Sequence, residues 1–180
     1  MLHHIEITPL FQYERFSTWK RLHRTVGYVL RFLNNSSGAR RRKSGPLQQE
    51  ELQAAEETII KAVQWESYPD EMIILEKNNL SPCDINKSID KSSSLYQWVP
   101  TLDDRGILRQ NGRIGAVKNV PFSARYPIIL PKDHLVTELL IDYYHRKYRQ
   151  ANAETVVNEL RQLYAIPRLR TLITRISNYQ

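Results

Sequence analysis

Residues 153–178 run Ala153-Glu-Thr-Val-Val-Asn-Glu-Leu160-Arg-Gln-Leu-Tyr-Ala165-Ile-Pro-Arg-Leu-Arg170-Thr-Leu-Ile-Thr-Arg175-Ile-Ser-Asn178. Val156, Val157, Leu160 and Leu163 recur here at the spacing of a helix with one apolar side, and Asn152 is a fitting N-cap. After Pro167, which suits a first helical position, Leu169, Leu172, Ile173 and Ile176 repeat the pattern, with Arg168, Arg170 and Arg175 opposite them. The spacing predicts helices over about 153–164 and 167–178, joined by the short link Ala165-Ile166. This is the arrangement of a helix-turn-helix, and equally of any small helical bundle. A third helix is expected over about 133–148, opened by Asp133 or His134 and carrying Leu135, Leu139, Leu140 and Tyr143 inward.

Upstream of this bundle the periodicity changes. Gly106-Ile-Leu-Arg-Gln and Arg113-Ile114-Gly115 flank Asn111-Gly112, the pair suited to a two-residue hairpin turn because both positions take positive φ. A further strand is expected at Tyr126–Leu130, with Pro127 at its beginning or on an edge. Toward the N-terminus, Phe16, Trp19, Leu22, Val26, Val29, Leu30 and Leu33 predict an amphipathic helix from Tyr13 to Asn34. A second helix is expected from Pro46 to Glu66, with Glu50 and Glu51 complementing the positive end of its dipole. A shorter one is expected after Pro69. Between the first two lie Asn34-Asn-Ser-Ser-Gly38 and Arg40-Arg-Arg-Lys43, a stretch with the composition of a solvated loop. The fold class is thus mainly α with a small β-hairpin or sheet. Residues 1–78 read as a helical connector, 79–100 as a Ser-, Asn- and Lys-rich linker, and 101–180 as the hairpin with the C-terminal helices.

The chain has 180 residues, 41% hydrophobic, with a single cysteine, Cys83. One thiol excludes an intramolecular disulfide framework, so a reducing compartment is expected. No membrane-spanning run and no secretory leader are read, which predicts an intracellular protein of nucleus or cytoplasm. The net charge of +7 is unevenly distributed: residues 1–45 carry +7, residues 46–130 carry −3 and residues 131–180 carry +3. Basic ends attract polyanions, because each phosphate neutralised by Lys or Arg releases counterions.

Four blocks in order carry a family resemblance: Phe16-Ser-Thr-Trp-Lys-Arg-Leu22; Leu102-Asp-Asp-Arg-Gly-Ile-Leu-Arg-Gln-Asn-Gly-Arg-Ile114; Tyr126-Pro-Ile-Ile-Leu-Pro-Lys-Asp-His134; and Leu160-Arg-Gln-Leu-Tyr-Ala-Ile-Pro-Arg-Leu-Arg170. Together they resemble the polyproteins of BEL/Pao long-terminal-repeat retrotransposons, over nearly the whole chain. In that family this stretch lies between RNase H and the integrase core and includes the integrase zinc-binding domain. The resemblance implies a helical domain of three helices and a His-His-Cys-Cys zinc site. Carried over, the first His falls on His145, the second on Gln150, the first Cys on Gln180, and the second Cys beyond the chain. A complete structural zinc site contributes on the order of 10 kcal/mol to folding. One retained ligand, His145, does not, so no cofactor is expected. His134, like His145, reads as a cap or surface histidine, and His3, His4 and His23 have no partner at ligand spacing.

No nucleophile triad or phosphate loop is read, and Asp103-Asp104 and Glu50-Glu51 are adjacent pairs whose side chains diverge. The expectation is a non-catalytic retrotransposon-derived polyprotein segment, with weak, non-specific nucleic-acid binding or homo-oligomerisation. The role of the integrase small domain in DNA integration is implied by the resemblance alone. Candidate phosphate contacts are Lys147, Arg149, Arg161, Arg168, Arg170 and Arg175. Two alternatives stand beside this reading: a protein-interaction module using Trp19, Trp65, Trp98 and Tyr143-Tyr144, or a truncated gene product without its own function.

Overall fold

A computed structural model of the chain describes residues 11–37, 42–78, 89–111, 121–148 and 153–178. After a 3-10 turn at Tyr13–Arg15, the helices among these residues are α1 (Trp19–Ser36), α2 (Gln49–Ser67), α3 (Pro69–Asn78), α4 (Phe122–Arg125), α5 (Leu135–Lys147), α6 (Ala153–Arg161) and α7 (Leu169–Asn178). Four short strands, β1 (Pro100–Leu102), β2 (Leu108–Gln110), β3 (Ile128–Ile129) and β4 (Tyr164–Ala165), form one sheet in the order β1-β2-β3-β4. The chain is therefore mainly α with a small sheet.

Local chemistry sets the helix ends. The Oγ1 of Thr18 accepts the backbone N–H of Arg21, which starts α1 at Trp19 rather than Tyr13. Phe16 lies before the helix in extended backbone. In α2, Gln48 and Glu51 form a reciprocal capping box. Glu51 does more than cap. Its carboxylate receives Arg31 Nε at 2.9 Å and Nη2 at 2.5 Å, while the same guanidinium also donates to the carbonyls of Gly45 and Pro46. This fork fastens the α1–α2 connection at buried positions.

The sheet departs from the sequence reading in three ways. The hairpin that is present joins β1 to β2 through Asp103–Gly106, with Thr101 opposite Arg109. The expected turn at Asn111-Gly112 and its returning strand lie outside the described residues from Gly112 onward. Both edges of β2 are already taken, since Arg109 also pairs with Ile128 of β3. The expected strand at 126–130 narrows to β3, an inner strand, and Pro127 precedes it as anticipated. Thirdly, the link between the last two helices is itself a strand. Leu163 and Ala165 carbonyls accept the N–H groups of Ile128 and Leu130, so β4 runs parallel to β3 and α6 ends at Arg161. Arg168 then takes a left-handed conformation (φ 55°), which puts Pro167 outside α7.

The strands alternate between two apolar cores, as a two-residue period requires. Ile107, Leu130, Tyr164 and Ile166 join α1, α2, α5, α6 and α7 in the larger cluster, whereas Leu108, Ile129 and Ala165 join Met72, Leu75 and Leu95 in the smaller one. The larger cluster draws on both the stretch read as connector and the C-terminal helices. Within the stretch read as linker, Ile89 and Leu95 are buried. Trp19 is core, and Trp65 and Trp98 pack against the smaller cluster.

One buried polar side chain ties these layers. Gln64 of α2, fully buried, donates from Nε2 to the carbonyls of Leu108 (2.9 Å) and Ile129 (2.8 Å) and accepts the N–H of Leu108 at Oε1 (2.8 Å). The β2–β3 register places Leu108 opposite Ile129, one rung beyond the bond from Gln110 N–H to the Pro127 carbonyl. At that rung the amide of Gln64 stands in for the ladder bond. Leu in its place would fill the volume but abandon three buried backbone groups. Gln64→Leu is expected to cost about 3 kcal/mol or more, read from urea unfolding as a lower midpoint with an unchanged slope.

Glu51 supplies a pH signature. Hydrogen bonds from Arg31, then from the Gln48 backbone, lower its carboxyl to about 2 from an ordinary 4.5. A depressed folded-state value means the stabilisation is complete above the unfolded value and is lost as pH falls through about 2. The difference in melting temperature between wild type and Glu51→Gln is therefore expected to be largest near neutrality and to shrink below about pH 4.5, followed by circular dichroism.

Candidate nucleic-acid interface

The last turn of α5 carries His145, Arg146 and Lys147, cations placed at the negative end of the helix dipole. Tyr143, Tyr144 and Tyr148 sit among them. The ammonium of Lys147 lies over the rings of Tyr144 (5.5 Å) and Tyr148 (5.1 Å), which are themselves stacked at 6.3 Å. Because Thr18 fixes the start of α1, Lys20 reaches the ring of Tyr143 at 5.5 Å. A depression of about 230 Å³ forms where these helices meet, lined by Trp19, Lys20, Asp142, Tyr143, Arg146 and Lys147. Arg146 is engaged with Asp142 one turn earlier, at 2.9 Å.

The aromatic platform is anchored from beneath. Tyr148 donates its hydroxyl to Glu159 (3.0 Å), and Tyr144 meets the buried Tyr164 edge-on. Tyr164 in turn donates to Glu56 of α2 at 2.6 Å. Burial, reinforced by the nearby Glu56 charge, raises the Tyr144 hydroxyl to about 12 and moves that of Tyr164 in the same direction. Both hydroxyls stay protonated at physiological pH.

The sequence-selected cations divide into groups. Lys147 is in the platform. Arg161 and Arg168 are exposed, the first at the end of α6 and the second in the left-handed step before α7. Arg170 and Arg175 are held in surface ion pairs, with Glu154 at 2.5 Å and with Glu138. Arg149 lies outside the described residues. Missed by the sequence reading were Lys20 and the ring-stacking role of Tyr148. The Tyr144 to Tyr148 spacing of one helical turn was a usable signal for the second, but nothing local in sequence joins Lys20 to α5.

The histidines have structural neighbours. His134 is the N-cap of α5, its Nδ1 accepting the Val136 N–H at 3.1 Å, with Nε2 3.3 Å from Glu66. The other oxygen of Glu66 receives the Tyr13 hydroxyl at 3.0 Å, and the Tyr13 ring meets His134 edge-on. His23 stacks on Trp19 with Nε2 2.6 Å from the Leu52 carbonyl. His145 is half-buried on α5. Among the described residues no three of His, Cys, Asp and Glu come together as a metal group. His3, His4, Cys83, Gln150 and Gln180 lie outside those residues.

Asp103 is a turn residue. Its carboxylate accepts the N–H groups of Arg105 and Ile107, each at 2.9 Å, and Arg109 Nε at 2.6 Å. Burial pushes its carboxyl up, but the Arg109 and Ile107 bonds outweigh that and hold it below the ordinary range.

Comparison with protein-family models, curated proteins and solved structures finds no match to this chain. No helix among the described residues is long and apolar enough to cross a membrane.

The resemblance to integrase zinc-binding domains retains a single ligand position, His145, and carries an expectation for metal. The purified chain is expected to hold zinc at well below one equivalent by elemental analysis. Its helical circular dichroism is expected to be unmoved by a strong chelator.

Proposed function

We propose that this chain is a non-catalytic, intracellular nucleic-acid-contacting module of the integrase zinc-binding kind, derived from a BEL/Pao-type retrotransposon. Binding is weak, electrostatic and indifferent to sequence. The observation that carries this reading is the joint presentation of Lys20 and Lys147 on tyrosine rings at one surface. Cations beside aromatic faces suit a phosphate backbone with partly unstacked bases. Arg161 and Arg168 add to the positive field, whereas Arg170 and Arg175 must first give up Glu154 and Glu138.

Surface ion pairs of that kind are worth only about 0–1 kcal/mol, so a phosphate can compete for either arginine. The platform cations carry no such debt beyond their ring contacts. Hence Lys20 and Lys147 are assigned the larger share.

Fluorescence anisotropy with a labelled duplex and a labelled single strand, titrated between about 50 and about 200 mM salt, tests the reading. Affinity is expected to fall linearly with the logarithm of salt concentration. The slope is expected to become shallower by about 2 in Lys20→Ala/Lys147→Ala. Absence of binding at the lowest salt, or an unchanged slope in the double variant, overturns the proposal.

A further inference from the structure

The outer side of α1 shows a feature that the nucleic-acid reading does not use. Tyr28, Val29, Phe32 and Leu33 are 44%, 45%, 68% and 56% exposed, although the other side of the same helix is buried through Trp19, Leu22 and Val26. Their spacing places the four on adjoining turns as a continuous apolar stripe. Exposed large apolar groups gathered in one place mark an interaction surface, whereas single ones do not. Beside Leu33 the surface falls into a depression of about 610 Å³ between α1 and α2, bordered by Leu30, Ala54 and Thr58, with Lys43, Glu50 and the Arg31-bound Glu51 at its α2 end.

Charge defines what fits there. From Arg15 to Gln49 the sequence has nine lysines and arginines and no aspartate or glutamate. On α1 the exposed Arg24 and Arg21 precede Tyr28 by one and two turns. At the far end, Asn35 clamps the backbone of Lys43 with two bonds of 2.8 Å, and the Lys43 ammonium, about half exposed, lies 4.0 Å from Glu51. Arg31 is fully engaged by the same carboxylate, at 2.5 Å, so among the described residues the free cations flanking the stripe are Arg21 and Arg24.

We infer that the outer face of α1 docks an amphipathic helix of a partner protein whose apolar side is flanked by carboxylates. A second copy of this chain is a poor occupant, because pairing α1 with itself opposes Arg21 and Arg24 to their own copies, and α1 carries no carboxylate, which leaves the offset to Glu50 on α2. Bases could stack on Tyr28 and Phe32, but Val29 and Leu33 between them give a nucleic acid nothing, whereas an apolar helix side engages all four. Side chains at helical spacing beside a depression are what a helix laid into a groove engages. This inference is independent of the Lys20–Lys147 surface.

The test uses the full chain and four probes: a synthetic helical peptide with a leucine face flanked by Glu, its isomer with Lys in place of Glu, single-stranded oligothymidylate, and vesicles of phosphatidylserine and phosphatidylcholine. The Glu-flanked peptide is expected to bind and the Lys-flanked isomer not to. Phe32→Ala, an exposed position whose folding is checked by circular dichroism, is expected to weaken that binding about tenfold or more. Arg21→Glu/Arg24→Glu is expected to reverse the peptide preference, and Lys20→Ala/Lys147→Ala to leave it unchanged. The inference fails if neither peptide binds, if both bind alike, or if Phe32→Ala has no effect on the peptide. It also fails if Phe32→Ala instead abolishes oligonucleotide binding, vesicle binding or dimer formation.

Discussion

A helix side chain that completes a β-ladder is the constraint on which this fold depends. Strands of two or three residues cannot form an independently stable sheet, and Pro127 removes a donor at the β2–β3 seam. One rung further along, Gln64 reaches from α2 to complete the Leu108–Ile129 pair, in a site with no access to water. The same contact fixes the height of α2 against the sheet. Since Ile128 and Ile129 point to opposite cores, it also fixes which residues enter each core.

The rest of α2 repeats this logic with other partners. Glu51 holds Arg31 of α1, Glu56 holds Tyr164 of β4, Glu57 holds Arg105 of the β1–β2 turn, and Glu66 holds Tyr13 and His134. Each of these acids reaches a different element, while Ala55, Ile59, Ile60 and Val63 of the same helix fill the core. Burying a side chain such as Ile59 or Ile60 stabilises by about 2 kcal/mol, without direction. The polar contacts are directional and select one arrangement of the surrounding elements. That division explains how a chain with such short strands still defines a single sheet order.

Binding surfaces follow from the same frame. The tyrosine platform rests on Tyr164 and Glu56, so its geometry depends on the α2–β4 contact rather than on α5 alone. The apolar stripe on α1 exists because Trp19, Leu22 and Val26 already satisfy the inward side of that helix. The two surfaces differ in chemistry: one sets ammonium groups over aromatic rings, and the other rims aliphatic and aromatic side chains with cations.

Sequence alone determined the longer helices, though not the single turn α4, since Leu22 and Val26, Ile59 and Val63, or Leu169, Leu172 and Ile173 announce an apolar side through local periodicity. It also indicated His134 as a helix cap. Only tertiary structure decided that Tyr164-Ala165 is a strand, because two residues gain nothing from extended backbone until Ile128 and Leu130 offer their N–H groups. The pairing of Arg170 with Glu154 and of Arg175 with Glu138, and the approach of Lys20 to Tyr143, were likewise invisible in order of residues. Hydrophobic periodicity is a property of neighbours along the chain, whereas a ladder bond, an ion pair or a cation over a ring needs two distant segments brought within a few ångströms.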